Sequence, residues 1–236
     1  MKLCKRIRAG IYCIFFLLSV FFVLFLFIFT NNQDKIHKIR RIWAKIQLKV
    51  LRVKVEFVGA LNSAATMIMM NHQSMIDIIA LEAHYERNLA WVAKKEIRDL
   101  PIFKYTMTKP RLICVDRKNP RSIIGVLKEA RERLAEGRVL AIFPDGTRSK
   151  TDKILKFQVG ARILADKLAL KVQPLLIIDS AKLLDSKEFT ISSGTLKIIC
   201  FDLIDTSEDG WLEKTHDMMQ ERLDAERAAL ACERVL

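Results

Sequence analysis

A chain of 236 residues is one ordinary domain with an appendage, and it has room for a sizeable core. Its formal net charge of +13 is unevenly spread: residues 1–50 hold 10 Lys/Arg against Asp34 alone, whereas the remainder holds 30 Lys/Arg against 26 Asp/Glu. Cys4, Cys13, Cys114, Cys200 and Cys232 fall without ligand or pairing spacing, which excludes a disulfide scaffold or cysteine zinc site and fits a reducing compartment.

The chain opens with Lys2, Lys5, Arg6 and Arg8 and then runs apolar from Ile11 to Phe29, interrupted only by Ser19. That is close to the roughly 20 residues that cross a bilayer core. The run is too long for a cleaved leader and lacks a small-residue cleavage pattern, so it reads as a permanent membrane anchor, whether it crosses or bends back. Ile36, Ile39, Trp43, Ile46 and Val50 follow at helical spacing, with Lys35, Lys38, Arg40, Arg41, Lys45 and Lys49 among or opposite them. This is the pattern of a basic amphipathic helix in the headgroup layer. Nucleic acid also attracts basic charge, but here the charge flanks an apolar segment and the stripe is not a row of stacking aromatics. Anionic lipid headgroups are therefore the expected partner, and nucleic acid is not. Four positive residues precede the apolar run and six follow it, a bias toward a cytoplasmic domain.

Residues 51–236 read as a single domain without repeats or long linkers. Strands are expected at 53–58, 66–70, 89–93, 111–115, 138–143, 171–178 and 195–201. Helices are expected at 75–87, around 97–106 with Pro101 near the start, from Asn119 and Pro120 as an N-cap and N1 pair to about Glu136, at 159–170, and from about Trp211. Such alternation predicts an α/β fold, a mostly parallel central sheet flanked by helices, behind the membrane-anchoring helical segment of residues 1–50.

Chemistry is concentrated where strands end. The run 66–70 leads into Asn71, His72, Gln73 and Ser74 before a helical pattern begins. On one continuous helix His72 and Asp77 would stand about 140° apart. With His72 in the loop and Ser74 as N-cap, Asp77 in the first turn reaches one imidazole nitrogen and leaves the other for a substrate. An imidazole held so suits general-base work near neutral pH. The same residues also fit a capping box beside a satisfied loop histidine. The run 138–143 ends in Pro144, Asp145, Gly146, Thr147, Arg148 and Ser149. Gly146 lets a ligand approach the backbone, and Thr147 and Arg148 offer a hydroxyl and a forked guanidinium to phosphate oxygens; a plain turn is the alternative. The run 111–115 delivers Asp116 and Arg117, either an anion-binding arginine or a surface ion pair. Parallel strands would set all of these ends on one rim, where open α/β sheets bind ligands.

Asn71-His72-x-x-x-x-Asp77, Asp116-Arg117 and Phe143-Pro144-Asp145-Gly146-Thr147-Arg148-Ser149 closely resemble, in order, the motifs of the glycerolipid acyltransferases, specifically the bacterial 1-acyl-sn-glycerol-3-phosphate acyltransferases called PlsC. Val172-Gln173-Pro174-Leu175-Leu176-Ile177 is similar to that family's fourth, proline-centred motif, and Lys94-Lys95-Glu96 to the run after its first. The resemblance implies a membrane-bound enzyme moving an acyl chain from acyl-CoA or acyl-carrier protein to the sn-2 hydroxyl of 1-acyl-sn-glycerol-3-phosphate, giving phosphatidate. It implies the cell inner membrane, with the catalytic domain on the cytoplasmic side. His72 would be the general base and Asp77 would orient it. Arg117, Arg148, Gly146 and Thr147 would hold the acceptor's phosphate, with Asn71, Ser74 and Asp145 in support and Val172, Pro174 and Leu175 lining the acyl region. No metal and no cofactor besides the thioester co-substrate is implied. The chain departs from the family at Asp145, where Glu is usual, at Gln158, where Lys is common, and between Pro101 and Arg111, where a glycine is usual. Another lysolipid acceptor stays open, as do two other classes: a metal-dependent hydrolase using His72, Asp77 and Asp145, and a non-catalytic anionic-lipid binding module.

Overall fold

The structure, a computed structural model, describes residues 2–119, 121–149, 151 and 153–232, with backbone alone for 101–103. Two helices open the chain, α1 (Lys2–Ile28) and α2 (Gln33–Leu51). They are followed by β1 (Val53–Val58), β2 (Met67–Met70), α3 (Ile76–His84), β3 (Leu89–Lys94), α4 (Lys95–Arg98) and α5 (Pro101–Thr108). Next come β4 (Ile113–Val115), α6 (Ser122–Ala135), β5 (Val139–Ile142), α7 (Val159–Leu168), β6 (Val172–Ile178) and the short α8 (Ser180–Leu183). A small hairpin of β7 (Leu184–Asp185) and β8 (Thr190–Ile191), then β9 (Gly194–Cys200) and α9 (Trp211–Cys232), complete the chain.

The main sheet has the order β1-β9-β6-β2-β5-β3-β4. Strands β6, β2, β5, β3 and β4 are parallel; β9 runs antiparallel to β6 and carries β1 on its outer edge. Two cores line its faces. Met67 and Met69 point into one and Ile68 and Met70 into the other, so β2 is buried on both faces and apolar throughout. Each such side chain contributes about 1.5–3 kcal/mol through burial. Helices α6, α7 and α9 cover one face; α1, α2 and α3 cover the other. Pro174, which has no N–H to donate, lies just beyond the last β6–β9 pair at Leu175 and Cys200, and its carbonyl still accepts from Phe201 N–H at 3.1 Å.

Every expected strand and helix of the domain is present, with ends displaced by a few residues. Pro120 lies outside the described residues; the helix expected there starts at Ser122, and Asn119 Oδ1 instead accepts from Arg121 N–H at 3.0 Å in the preceding turn. The β7–β8 hairpin was not expected, because two-residue strands are too short to display a period.

The first two helices do not stand apart. Asn32 caps α2, its Oδ1 accepting from Asp34 and Lys35 N–H. Ala44, Leu48 and Leu51 of α2 share one core with Ile68, Ile79 and Leu81. Trp43 Nε1 and Gln47 Nε2 both donate to Ser19 Oγ, at 3.0 and 2.9 Å, so the one polar break in the apolar run is a bond between α1 and α2. Both ends of α1 lie against the domain: Lys2 pairs with Glu188 at 3.0 Å, and beyond the other end Lys109 Nζ donates to Asn31 Oδ1 at 2.9 Å. The outward face of α1, including Ile11, Ile14, Leu18, Phe22 and Phe25, is exposed and apolar.

Candidate active site

At the carboxyl end of β2 the chain turns before α3, and the turn is built on one carboxylate. Asp77, fully buried, accepts through Oδ2 the N–H groups of Gln73 and Ser74, at 2.8 and 2.9 Å, and meets His72 Nδ1 at 2.8 Å. Its place in the first turn of α3 adds the favourable field of the helix amino end. Ser74 was expected as the N-cap; Met75 holds that position, while the Ser74 hydroxyl accepts from Ile76 N–H at 3.4 Å and donates to Leu184 O of the hairpin at 2.6 Å. The capping and catalytic readings of this stretch thus share a single carboxyl group. Asn71 continues the β2–β6 ladder with its side chain, donating to Ile177 O and accepting from Ile177 N–H, both at 2.8 Å.

The loop after β5 packs against this turn. Ser149 N–H donates to His72 O at 2.8 Å and His72 N–H to Asp145 Oδ2 at 2.9 Å. Burial pushes the Asp145 carboxyl up to about 7, with the neighbouring Asp77 adding to the rise and the bond from His72 N–H opposing it. Phe143 lies flat on the imidazole, ring centroids 3.9 Å apart and planes 17° apart. Gly146 has a φ of +71°, and the Arg117 guanidinium, which donates to Gly146 O, occupies the space that a Cβ would need. Burial lowers the Arg117 pKa.

His72, Arg117, Gly146, Thr147 and Arg148 line one cavity of about 410 Å³, walled by Ile78, Trp91 and Phe143, with Asp77 directly behind the imidazole. The expected base and both arginines therefore share one basin, with the carboxylate buried behind the base. Arg148 is exposed and donates to Ser186 Oγ at 3.2 Å. A second cavity of about 320 Å³ adjoins it across Val92, Arg117, Phe143 and Gly146 and is lined mainly by apolar side chains such as Ile123, Val126, Ile163 and Leu164. Val172, Pro174 and Leu175 line neither: β6 is a central strand, paired on both edges, and these residues are consumed by its packing. Gln158 lies on the second cavity. Among the described residues no group of three or more His, Cys, Asp or Glu side chains is gathered to hold a metal ion.

The sequence reading gave no role to Trp91, Phe143 or Ser186. Phe143 stood within a quoted motif; Trp91 and Ser186 carry no signal, since the sheet pairing and the hairpin that bring them in are long-range.

The family profile described as Acyltransferase matches residues 52–178. A 1-acyl-sn-glycerol-3-phosphate acyltransferase of Helicobacter pylori is 33% identical over 84% of this chain and 85% of its own. A chloroplastic 1-acyl-sn-glycerol-3-phosphate acyltransferase of Arabidopsis thaliana is 28% identical over 84% of this chain and 59% of its own. Among solved structures, the 1-acyl-sn-glycerophosphate acyltransferase PlsC of Thermotoga maritima superposes with a TM-score of 0.73 over 98% of both chains at 22% identity, a likeness of fold that includes the two opening helices. With the profile spanning more than half of its length and spanning every residue that lines the basin, this chain belongs to the acyltransferase family.

Proposed function

We propose that the chain is a membrane-bound 1-acyl-sn-glycerol-3-phosphate acyltransferase, moving an acyl group from acyl-CoA or acyl-carrier protein to the sn-2 hydroxyl and giving phosphatidate. The observation that carries this reading is the 2.8 Å contact between His72 Nδ1 and Asp77 Oδ2 at the wall of a cavity that also holds Arg117 and Arg148. With Nδ1 engaged by a carboxylate, Nε2 is left to take the acceptor's hydroxyl proton. The hydroxyl oxygen attacks the thioester carbonyl, the carbon–sulfur bond breaks, and the imidazolium returns its proton to the departing thiolate. Asp77, buried and fixed by two backbone N–H groups, stabilises the imidazolium and holds the tautomer. Arg148, with Thr147 and with Arg117 seated against Gly146, takes the acceptor's phosphate, a match of forked donors to paired oxygens. Asn71, Ser74 and Asp145 hold the two loops in register beneath the base. The adjoining apolar cavity suits a fatty chain better than the packed side chains of Val172, Pro174 and Leu175 do. No cofactor or metal enters the scheme, and the thioester is the co-substrate.

Membrane association comes from the apolar face of α1 and the basic residues of α2. Because both ends of α1 are tied to the same domain, α1 lies within one leaflet rather than crossing; crossing would carry one of those contacts, with its lysine, through hydrocarbon. The surplus of positive residues supports the cytoplasmic side of the cell inner membrane. The partners in this reading are lysophosphatidate, anionic headgroups and the thioester carrier, and no nucleic acid. The test is a panel of acyl-CoA and acyl-carrier-protein thioesters against several lysolipids, with the purified full-length protein in detergent, reading products by mass. Phosphatidate formed from lysophosphatidate, insensitive to chelator, is expected; turnover confined to another lysolipid, or none without a divalent ion, would overturn the reading.

A further inference from the structure

Behind the imidazole runs a chain of contacts that the scheme above does not use. Phe143 is stacked on His72, and Trp91 is stacked on Phe143 with centroids 5.4 Å and planes 21° apart. The Trp91 indole N–H donates to Glu82 Oε1 at 2.5 Å. That carboxylate, on α3, is paired with the Arg40 guanidinium of α2, which also donates to Leu89 O at 3.3 Å and to Asn88 Oδ1 at 3.4 Å. Arg40, Glu82 and Trp91 are all at least nine-tenths buried, and neither Arg40 nor Glu82 lines the basin.

A buried ion pair is a poor way to gain stability, because stripping water from both charges offsets their attraction and apolar side chains of similar volume often serve as well. What the pair does supply is direction, since Glu82 holds the indole N–H at a fixed point. The bond to Asp77 restrains His72 at Nδ1 but leaves the ring free to tilt about the Nδ1–carboxylate line. The face of Phe143 is what sets the ring plane, and therefore where Nε2 points. Phe143 in turn has Trp91 packed on it.

We infer that Arg40 and Glu82 are positioning residues for His72, acting through Trp91 and Phe143, so that the docking of α2 sets the aim of the base. The inference rests on His72 being the base. It deepens that reading by tying the helix that meets the membrane to the atom that meets the substrate.

The test uses full-length protein carrying Arg40→Met with Glu82→Leu, which removes both charges together, beside His72→Ala. Thermal midpoint, kcat, both KM values and the pH–rate profile are measured. A misaimed base costs turnover rather than binding: kcat should fall about ten- to a hundredfold with both KM values within about twofold, the thermal midpoint nearly kept and the acid limb of the profile displaced. A folded double variant with wild-type kcat and pH profile, where His72→Ala is dead, overturns the positioning role and leaves the base intact. An active His72→Ala overturns both. Should the double variant fail to fold, Trp91→Phe, which keeps a ring against Phe143 but removes the N–H that Glu82 holds, replaces it. Its kcat per folded molecule should drop about threefold or more at constant KM, and an unchanged kcat overturns the inference.

Discussion

At the scale of single residues, Arg148 in the basin and Asp145 buried beside it answer to opposite physical demands, and each gives its own prediction. Arg148 is exposed and, among the described residues, bonded only to a serine hydroxyl, so its charge is available to an incoming phosphate at small desolvation cost. Arg148→Ala should raise KM for lysophosphatidate about tenfold or more while kcat changes little; an unchanged KM in steady-state kinetics would remove it from phosphate binding. Asp145 is the opposite case, a carboxyl whose folded pKa is raised to about 7 by burial. A raised carboxyl pKa means that the native state holds the proton more tightly than the unfolded chain, so stability falls as pH climbs from near 4 to about 7 and then levels off. Asp145→Asn keeps an acceptor for His72 N–H and loses that dependence. Its stability relative to wild type should therefore improve by up to a few kcal/mol between pH 5 and pH 8, measured by denaturant titration; a constant difference would contradict the burial argument. His72, Asp77, Arg117, Gly146, Thr147 and Arg148 were all legible in the sequence because short polar clusters at the ends of apolar runs are local signals. Trp91 and Glu82 were not, because their link to His72 crosses α3, β3 and the loop after β5.

Among the elements, α2 teaches the most about what periodicity conveys. The stripe of Ile36, Ile39, Trp43, Ile46 and Val50 correctly marks a helix but not its buried side, which carries Ile36, Arg40, Ala44, Gln47, Leu48 and Leu51. Hydrophobicity alone cannot foresee that Arg40 and Gln47 face inward, since their burial depends on Glu82 in α3 and Ser19 in α1. Most of the remaining stripe lines an apolar groove of about 360 Å³ beside α1, where Ile39, Ile42, Trp43 and Ile46 meet Phe15, Leu18 and Phe22. Leu48, 5% exposed, and Ile46, 46% exposed, separate the two sides. In detergent, Leu48→Ala should lose about 2–4 kcal/mol of unfolding free energy and Ile46→Ala less than about 1 kcal/mol. Equal losses would mean that α2 does not use its inner face against the domain. The strands were easier to read, because a segment buried on both faces is apolar at every position and stops where the backbone meets water.

The molecule as a whole is a mostly parallel sheet with an N-terminal pair of helices packed on one face. The boundary expected at residue 50 falls within shared packing: Ala9, Tyr12, Ala44 and Leu48 belong to the same core as β2 and α3. Removing residues 1–50 should therefore strip the domain of a wall as well as of its long apolar helix, giving an insoluble or markedly destabilised protein; a soluble, fully active fragment of 51–236 would show that the core closes without them. The central claim concerns the proton on the acceptor hydroxyl, and its most direct measurement is the turnover of purified full-length His72→Ala with lysophosphatidate and a saturating thioester, beside wild type under the same detergent conditions. Loss of the base should lower kcat by about a hundred- to ten-thousandfold with the fold intact by circular dichroism. Turnover of His72→Ala within a few-fold of wild type would contradict the account.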